Sequence, residues 1–367
     1  MPALGVQINA MNSVLIIEPN LRAPSGHYAE FVRALGERAD GLDVEVFAHP
    51  AADGMLGAMR GVQVSAREPR VGRAGAEWRT IFRAVRENAP FLVLTSDGRH
   101  AAAVSLAAAI SGKKPDKASL YFHWIPSGVQ DAVLHKASLA AREHARALVP
   151  TEAIARALRG AGWRHVHCLP YPALGADPRP EPVPFQRLLV AGAARLNKGL
   201  DLIAEMTVKW AKEGRSLPLF VQVSKKHAVR HGHREEGFVN MLLSSGYAGL
   251  KTDETAPGRE GYLERFRGAL VLAPYERARF ADAVSGVVLD ALLHGAPVIA
   301  TRGTWPGAQV ERFGAGVTIA ERTPEALSSA IDAVLADWDG YAAHACQAAS
   351  VLAAEHDPRR ILDLIAG

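Results

Sequence analysis

The chain has 367 residues, 49% apolar and 22% charged, which is the balance of a soluble globular protein and too long for one ordinary α/β domain. The net charge of +4 is uneven: residues 1–180 hold 21 basic against 16 acidic side chains, the remainder 21 against 22, so the first half suits an anionic acceptor or a membrane surface rather than nucleic acid. Cys168 and Cys346 form no metal or redox spacing, residues 1–12 lack a signal-peptide pattern, and no run reaches the roughly 18 apolar residues of a membrane span, all of which suits a reducing cytoplasm.

The first half opens on a buried-strand run, Ser13-Val14-Leu15-Ile16-Ile17, and a turn at Pro24-Ser25-Gly26. A helix follows, with Tyr28, Phe31, Val32 and Leu35 at helical spacing. Short apolar strands recur at Val44-Glu45-Val46-Phe47, Phe91-Leu92-Val93-Leu94, Ser119-Leu120-Tyr121-Phe122 and Ala147-Leu148-Val149, with helical segments between them. The Ala-rich run 101–110 reads as a buried helix. Arg79, Arg83 and Arg86 line one face of another helix, whose default role is a solvated face and whose sharper role is docking on anionic lipid. Such alternation predicts a parallel sheet with helices on both faces.

Between 169 and 185 six prolines forbid regular structure and favour an extended linker. A second alternating series then begins, with strands at Arg187-Leu188-Leu189-Val190, at 217–223, at Ala269-Leu270-Val271-Leu272 and at Pro297-Val298-Ile299-Ala300. A helical region from about Pro324 runs to the end, interrupted near His356-Asp357-Pro358. Open sheets of this kind bind ligands outside the carboxyl ends of their strands, so two of them offer one site for each of two substrates.

The segment from Ala281 to Ala300 carries most of the chemistry. Ser285-Gly286 starts a helix that Gly295 ends, and Pro297 leads into a buried strand. A helix start exposes unpaired N–H groups and a partial positive charge, which favours phosphate, and Gly286 lets backbone approach the ligand. Asp282 precedes this helix and Asp290 lies two turns inside it; taken singly, these are a helix cap and a solvated helix residue. Upstream, Leu188-Leu189-Val190-Ala191-Gly192-Ala193-Ala194-Arg195-Leu196-Asn197-Lys198-Gly199 reads as strand, glycine turn, then two cations three residues apart.

The first of these segments resembles the donor signature of retaining GT-B glycosyltransferases of the family-4 type, in which two Glu separated by seven residues precede a Gly-Pro strand entry. Asp282 and Asp290 fall on the two Glu positions, each one methylene shorter. The second resembles the same family's strand–Gly–Arg–Lys element. Ser25-Gly26-His27 is similar to its glycine-rich loop, with Ser25 replacing a glycine, and His123 in Tyr121-Phe122-His123-Trp124 matches a histidine facing the donor sugar.

The resemblance implies an α/β GT-B fold of two Rossmann-like doubly wound domains facing a central cleft. Residues 1–170 would be the acceptor domain, joined by the last helix at about 356–367; 171–184 the linker and hinge; 185–352 the donor domain. It implies metal-independent, retaining transfer from a nucleotide-diphosphate sugar to a glycan, lipid-linked or small-molecule acceptor, with no cofactor and no nucleic acid partner. Arg195, Lys198 and the N–H groups near Ser285, Gly286 and Val287 would hold the diphosphate, with Gly26 and Gly192 as loop glycines. Asp282 and His123 would contact the sugar, and Asp290 the ribose. Peripheral contact with the inner face of a membrane is a secondary expectation. A nucleotide-sugar 2-epimerase and a non-catalytic nucleotide-sugar binding protein are the alternatives. Two further patterns are set aside: Asp337-Trp338-Asp339 falls in the C-terminal helical region rather than after a central strand, and His231-Gly232-His233 lacks partner ligands.

Overall fold

The computed structural model describes residues 13–23, 26–52, 62–64, 72–124, 136–223, 233–254 and 258–367. These form two compact units, one of residues 1–174 with 356–367 and the other of residues 175–355.

In the first unit seven parallel strands are arranged β3-β2-β1-β4-β5-β6-β7: Ser13–Glu18, Asp43–Ala48, Val62–Val64, Phe91–Val93, Ala118–Tyr121, Arg146–Val149 and His165–Cys168 in chain order. Every residue of β4 and β5 is buried, as a strand sandwiched between helices requires. Helix α1, His27–Glu37, buries Phe31, Val32 and Leu35 on one side. Helix α2, Gly72–Glu87, packs with α3, Gly98–Ser111, and buries Ile81, Ala84 and Val85 in the core shared by β4 and β5. Asp97 caps α3 by accepting from the N–H groups of Arg99 and His100, while His100 accepts from the Asp97 N–H. Of the three arginines read onto one helix face, Arg79 and Arg86 of α2 are exposed, whereas Arg83 is half-buried with its Nε shielded from solvent. Two short helices, α4, Leu139–His144, and α5, Glu152–Gly160, flank β6. The final helix of the chain, Arg359–Ala366, belongs to this unit and buries Ile361, Leu362 and Ile365. It is fixed at its start by the Ala173 N–H donating to His356 O over 3.0 Å.

The second unit is a six-stranded parallel sheet ordered β10-β9-β8-β11-β12-β13, built from Arg187–Val190, Leu219–Gln222, Leu250–Asp253, Ala269–Ala273, Val298–Thr301 and Gly316–Ile319 in chain order. Its helices are α6, Leu200–Lys212; α7, His233–Leu243; α8, Arg259–Glu264; α9, Arg277–Phe280; α10, Gly286–Leu293; α11, Trp305–Phe313; α12, Pro324–Ala336; and α13, Trp338–Glu355. Leu202, Ile203, Met206 and Trp210 of α6 meet Leu219 and Val221 of β9 and Leu327 and Ile331 of α12 in one core. Thr304 and Thr323 cap α11 and α12, each followed by proline in the first turn, where the missing N–H costs nothing.

Four strands are missing from the sequence reading: β3, β7, β10 and β13. They sit at or next to the sheet edges. Their half-polar runs, such as Leu-Lys-Thr-Asp and His-Val-His-Cys, lack the unbroken apolar pattern of central strands. The segment 171–184 contains no helix or strand. No helix among the described residues is long and apolar enough to cross a membrane.

Candidate functional site

In the second sheet the chain winds outward from β8 on one side through β9 and on the other through β11, so the crevice of this doubly wound sheet lies at the carboxyl ends of β8 and β11. The loop after β8 carries Gly192, Arg195 and Lys198; the loop after β11 carries Pro274 and Tyr275; helix α10 begins nearby at Gly286.

Gly192 joins two of these pieces. It has φ +70°, and a β-carbon there would lie 3.2 Å from Val287 Cγ2 and 3.8 Å from Lys198 Nζ. Only a glycine lets this backbone lie so close to the first turn of α10 without strain. Gln222, the last residue of β9, accepts the Gly192 N–H at its Oε1 over 3.0 Å, which fixes the turn.

Arg195 and Lys198 lie on one short 3-10 turn, Leu196–Lys198, anchored from α7 by Glu235 Oε2 accepting the Leu196 N–H over 3.3 Å. Arg195 Nε is buried without a hydrogen-bond partner, and so is Oε1 of Glu235. Lys198 keeps partial exposure, yet the protein packed round it, and then the charge of Arg195, push its pKa down to about 8. Two cations held together with unfilled bonding capacity make a site for an anion.

The tip of α10 is built for the same purpose. Ser285 caps the helix by accepting the Val288 N–H, and Gly286 is exposed with nothing within 4 Å of where its β-carbon would be. A helix start leaves first-turn N–H groups without intrahelical partners and carries a partial positive charge, and this one has open space at Gly286.

Asp290 lies about one turn inside α10, not the two expected from the sequence, and is partly exposed. Tyr262 of α8 donates its O–H to Asp290 Oδ2 over 3.0 Å. Burial raises the carboxyl pKa to about 6, against the lowering effects of the Tyr262 bond and the Arg259 charge. Asp282 is exposed on the loop between α9 and α10, outside this hydrogen-bonded group.

The structure thus brings together Gly192, Arg195, Lys198, Ser285, Gly286 and Val287, with Asp290 one turn behind. His123 and Gly26 belong to the first unit and cluster there: the rings of His27, which follows Gly26, and His123 are 4.6 Å apart. His123 Nε2 is 2.9 Å from Leu94 O, and burial, then the neighbouring His27, push its pKa well down. It is a neutral imidazole donating through Nε2, which leaves Nδ1 as an acceptor. Gly26 has φ +98° and is open on its β-carbon side. Ser25, the other half of the expected glycine-rich loop, lies outside the described residues, as do His231 and Gly232. Asp337-Trp338-Asp339 is structural, since Trp338 is buried and donates its indole N–H to Val183 O over 2.8 Å.

Tyr275 escaped the sequence reading. Its signal was position alone: it stands just past the carboxyl end of β11, one of the two strands that flank the crevice.

No family model and no curated protein matches the chain. Solved structures do. HepE of Anabaena, crystallised with UDP and glucose, is 14% identical over 97% of this chain and 98% of its own, with a TM-score of 0.70. Sucrose-phosphate synthase of Thermosynechococcus elongatus is 14% identical over 96% and 97%, TM-score 0.67. A glycosyltransferase of Rickettsia africae is 12% identical over 97% and 98%, TM-score 0.67. At such identities the likeness establishes the fold, which is GT-B.

Proposed function

We propose that the chain is a glycosyltransferase that takes a sugar from a nucleotide-diphosphate donor held by its second unit. The observation that carries this reading is the approach of Gly192 to both Val287 and Lys198, which sets a cation beside a helix tip. A leaving nucleoside diphosphate gains negative charge as the glycosidic bond breaks. Preorganised cations and N–H dipoles aimed at that charge lower the barrier because they need no reorganisation during the step. Arg195, Lys198 and the first-turn N–H groups of α10 fill this role, so a divalent cation is dispensable.

Asp290 takes the ribose hydroxyls, and the exposed Asp282 the hydroxyls of the sugar. His123 accepts from a sugar hydroxyl at the carboxyl edge of its own sheet, where the acceptor binds. Transfer proceeds with retention: the acceptor hydroxyl attacks the face that the diphosphate leaves, and a diphosphate oxygen takes its proton. Support for a nucleotide sugar comes from the fold-mates, of which HepE was crystallised with UDP and glucose.

The test is a thermal-shift screen over nucleotides and nucleotide sugars, followed by turnover assays with and without EDTA. A ligand of the folded state raises the melting temperature, by an amount that follows its concentration over Kd. Nucleoside diphosphates and their sugars should stabilise the chain, and EDTA should leave transfer intact. No shift with any of them would end this reading; epimerised donor in the absence of acceptor would replace transfer by epimerisation.

A further inference from the structure

The Lys198 ammonium and the Ser285 cap arrive from opposite sides of the crevice, yet both rest on one side chain. Tyr275 is 2% exposed and lies two residues past the end of β11. Lys198 Nζ lies 5.6 Å from the centre of its ring, within the range of a cation–π contact. Its hydroxyl, whose pKa burial pushes up, interacts with the Ser285 side chain, which lowers it. Phe280 of α9 closes on the ring, with centroids 4.6 Å apart.

The lysine loop is clamped to the same segment. The Glu276 N–H donates to Asn197 O over 3.0 Å. Gly199, at φ +87°, comes so close that a β-carbon there would be 2.5 Å from Pro274 Cγ. Arg322 Nε donates to Pro274 O over 2.9 Å. The backbone around Tyr275 is therefore fixed independently of its side chain. That leaves the ring and the hydroxyl free to do one job each.

We propose that Tyr275 is the positioning residue of the diphosphate site: its ring face seats the Lys198 ammonium and its hydroxyl seats the Ser285 cap, so that cation and helix tip converge on one anion. The inference rests on the donor reading above and adds a residue which that reading does not require.

The test is isothermal titration of UDP, GDP, ADP and pyrophosphate into the intact chain, with unliganded melting temperatures to show that each variant folds. Tyr275→Phe keeps the ring and loses the hydroxyl; it should weaken binding about threefold, the size of one neutral hydrogen bond. Tyr275→Leu loses both contacts and should weaken it about tenfold or more, as loss of a desolvated cation–π contact adds to that. The signature is non-additivity. The phenylalanine effect should vanish in a Ser285→Ala background, and the leucine effect should vanish when Lys198→Met and Ser285→Ala are combined.

Additive losses, or wild-type affinity in Tyr275→Leu, would overturn the positioning role while leaving the donor site standing. Failure of the wild type to bind any of the four probes would overturn the diphosphate reading and this inference with it.

Discussion

Gly192 and Val287 touch across the crevice of the second sheet: a β-carbon on the glycine would sit 3.2 Å from the valine's Cγ2. Gly192→Ala therefore meets two obstacles. At φ +70° an L-residue costs roughly 1–2 kcal/mol, and the methyl must push aside the end of a side chain. The same methyl stands 3.8 Å from Lys198 Nζ, in the path of the anion. Urea unfolding should show a loss of about 1–2 kcal/mol, and titration of UDP a drop in affinity larger than that. Adding Val287→Ala should relieve the contact but not the backbone strain. Unchanged UDP binding in Gly192→Ala would show that the glycine matters only to folding.

At the proposed donor site, Lys198 makes diphosphate binding weaken at alkaline pH. Its pKa in the free protein is about 8, and a bound diphosphate raises it by favouring the ammonium. Below about pH 7 the lysine is charged both before and after binding, so this group adds no slope to affinity there. Above about 8 the free protein must take up a proton to bind, so affinity falls with each unit, up to about tenfold per unit. Folding runs the other way. Between about 8 and 10.5 the unfolded lysine holds the proton more tightly, so this group adds stability as pH rises through that window. Lys198→Met should abolish both slopes, and Lys198→Arg should keep binding while flattening its alkaline limb. Calorimetric titrations from pH 6 to 10 read both effects.

In the proposed donor site, Asp290 and Tyr262 offer a way to separate nucleoside from diphosphate contacts. Asp290→Asn should weaken UDP while leaving pyrophosphate nearly untouched, because the carboxylate sits a turn behind the helix tip. The folded pKa of about 6 lies above the ordinary carboxyl value of 3.8, so the folded state favours the proton. The stability this confers is complete below about 3.8 and is lost as pH rises through about 6. Asp290→Asn should remove that slope and be no less stable than wild type at pH 7. Tyr262→Phe takes away the donor to Oδ2 and should cost about 1 kcal/mol. Equal losses of UDP and pyrophosphate in Asp290→Asn would place the carboxylate at the phosphates instead.

The fold was legible where strands are central and apolar, as in Leu188-Leu189-Val190 or Phe91-Leu92-Val93, because burial on both faces leaves an unbroken hydrophobic run. Edge strands such as Leu250–Asp253 carry polar residues towards solvent and lose that signature. The approach of Lys198 to the tip at Val287 follows from spacing and from the rule that ligands gather at carboxyl ends, and both can be read along the chain. Tyr275 and Gln222 cannot be found that way. A tyrosine two residues past β11 and a glutamine ending β9 gain meaning only when both strands flank β8, and pairing order is a tertiary property. Asp282 illustrates the opposite case, a residue conspicuous in the sequence motif whose exposed position on the loop before α10 does not by itself define a role.

Gly295 serves the fold rather than the site and provides the control for Gly192. It follows the C-terminal end of α10 at φ +72°, the left-handed conformation that helix ends favour for glycine. A β-carbon there would lie 2.7 Å from Cys346 Sγ of α13 and 2.9 Å from Pro180 Cβ. Pro180 Cβ is held in its ring and cannot swing away, and Cys346 Sγ yields only by changing its χ1 rotamer on α13. Gly295→Ala should therefore lose about 2–4 kcal/mol, summing backbone strain and overpacking, and melt several degrees lower. The residue is a whole helix length from Gly286, about 12 Å at 1.5 Å per residue, so the tip keeps its geometry in molecules that fold. Affinity for UDP per folded molecule, measured well below the lowered melting temperature, should match wild type. A variant that kept its stability but lost UDP would mean that the packing of α10 against α13 sets the angle at which the helix tip meets the anion.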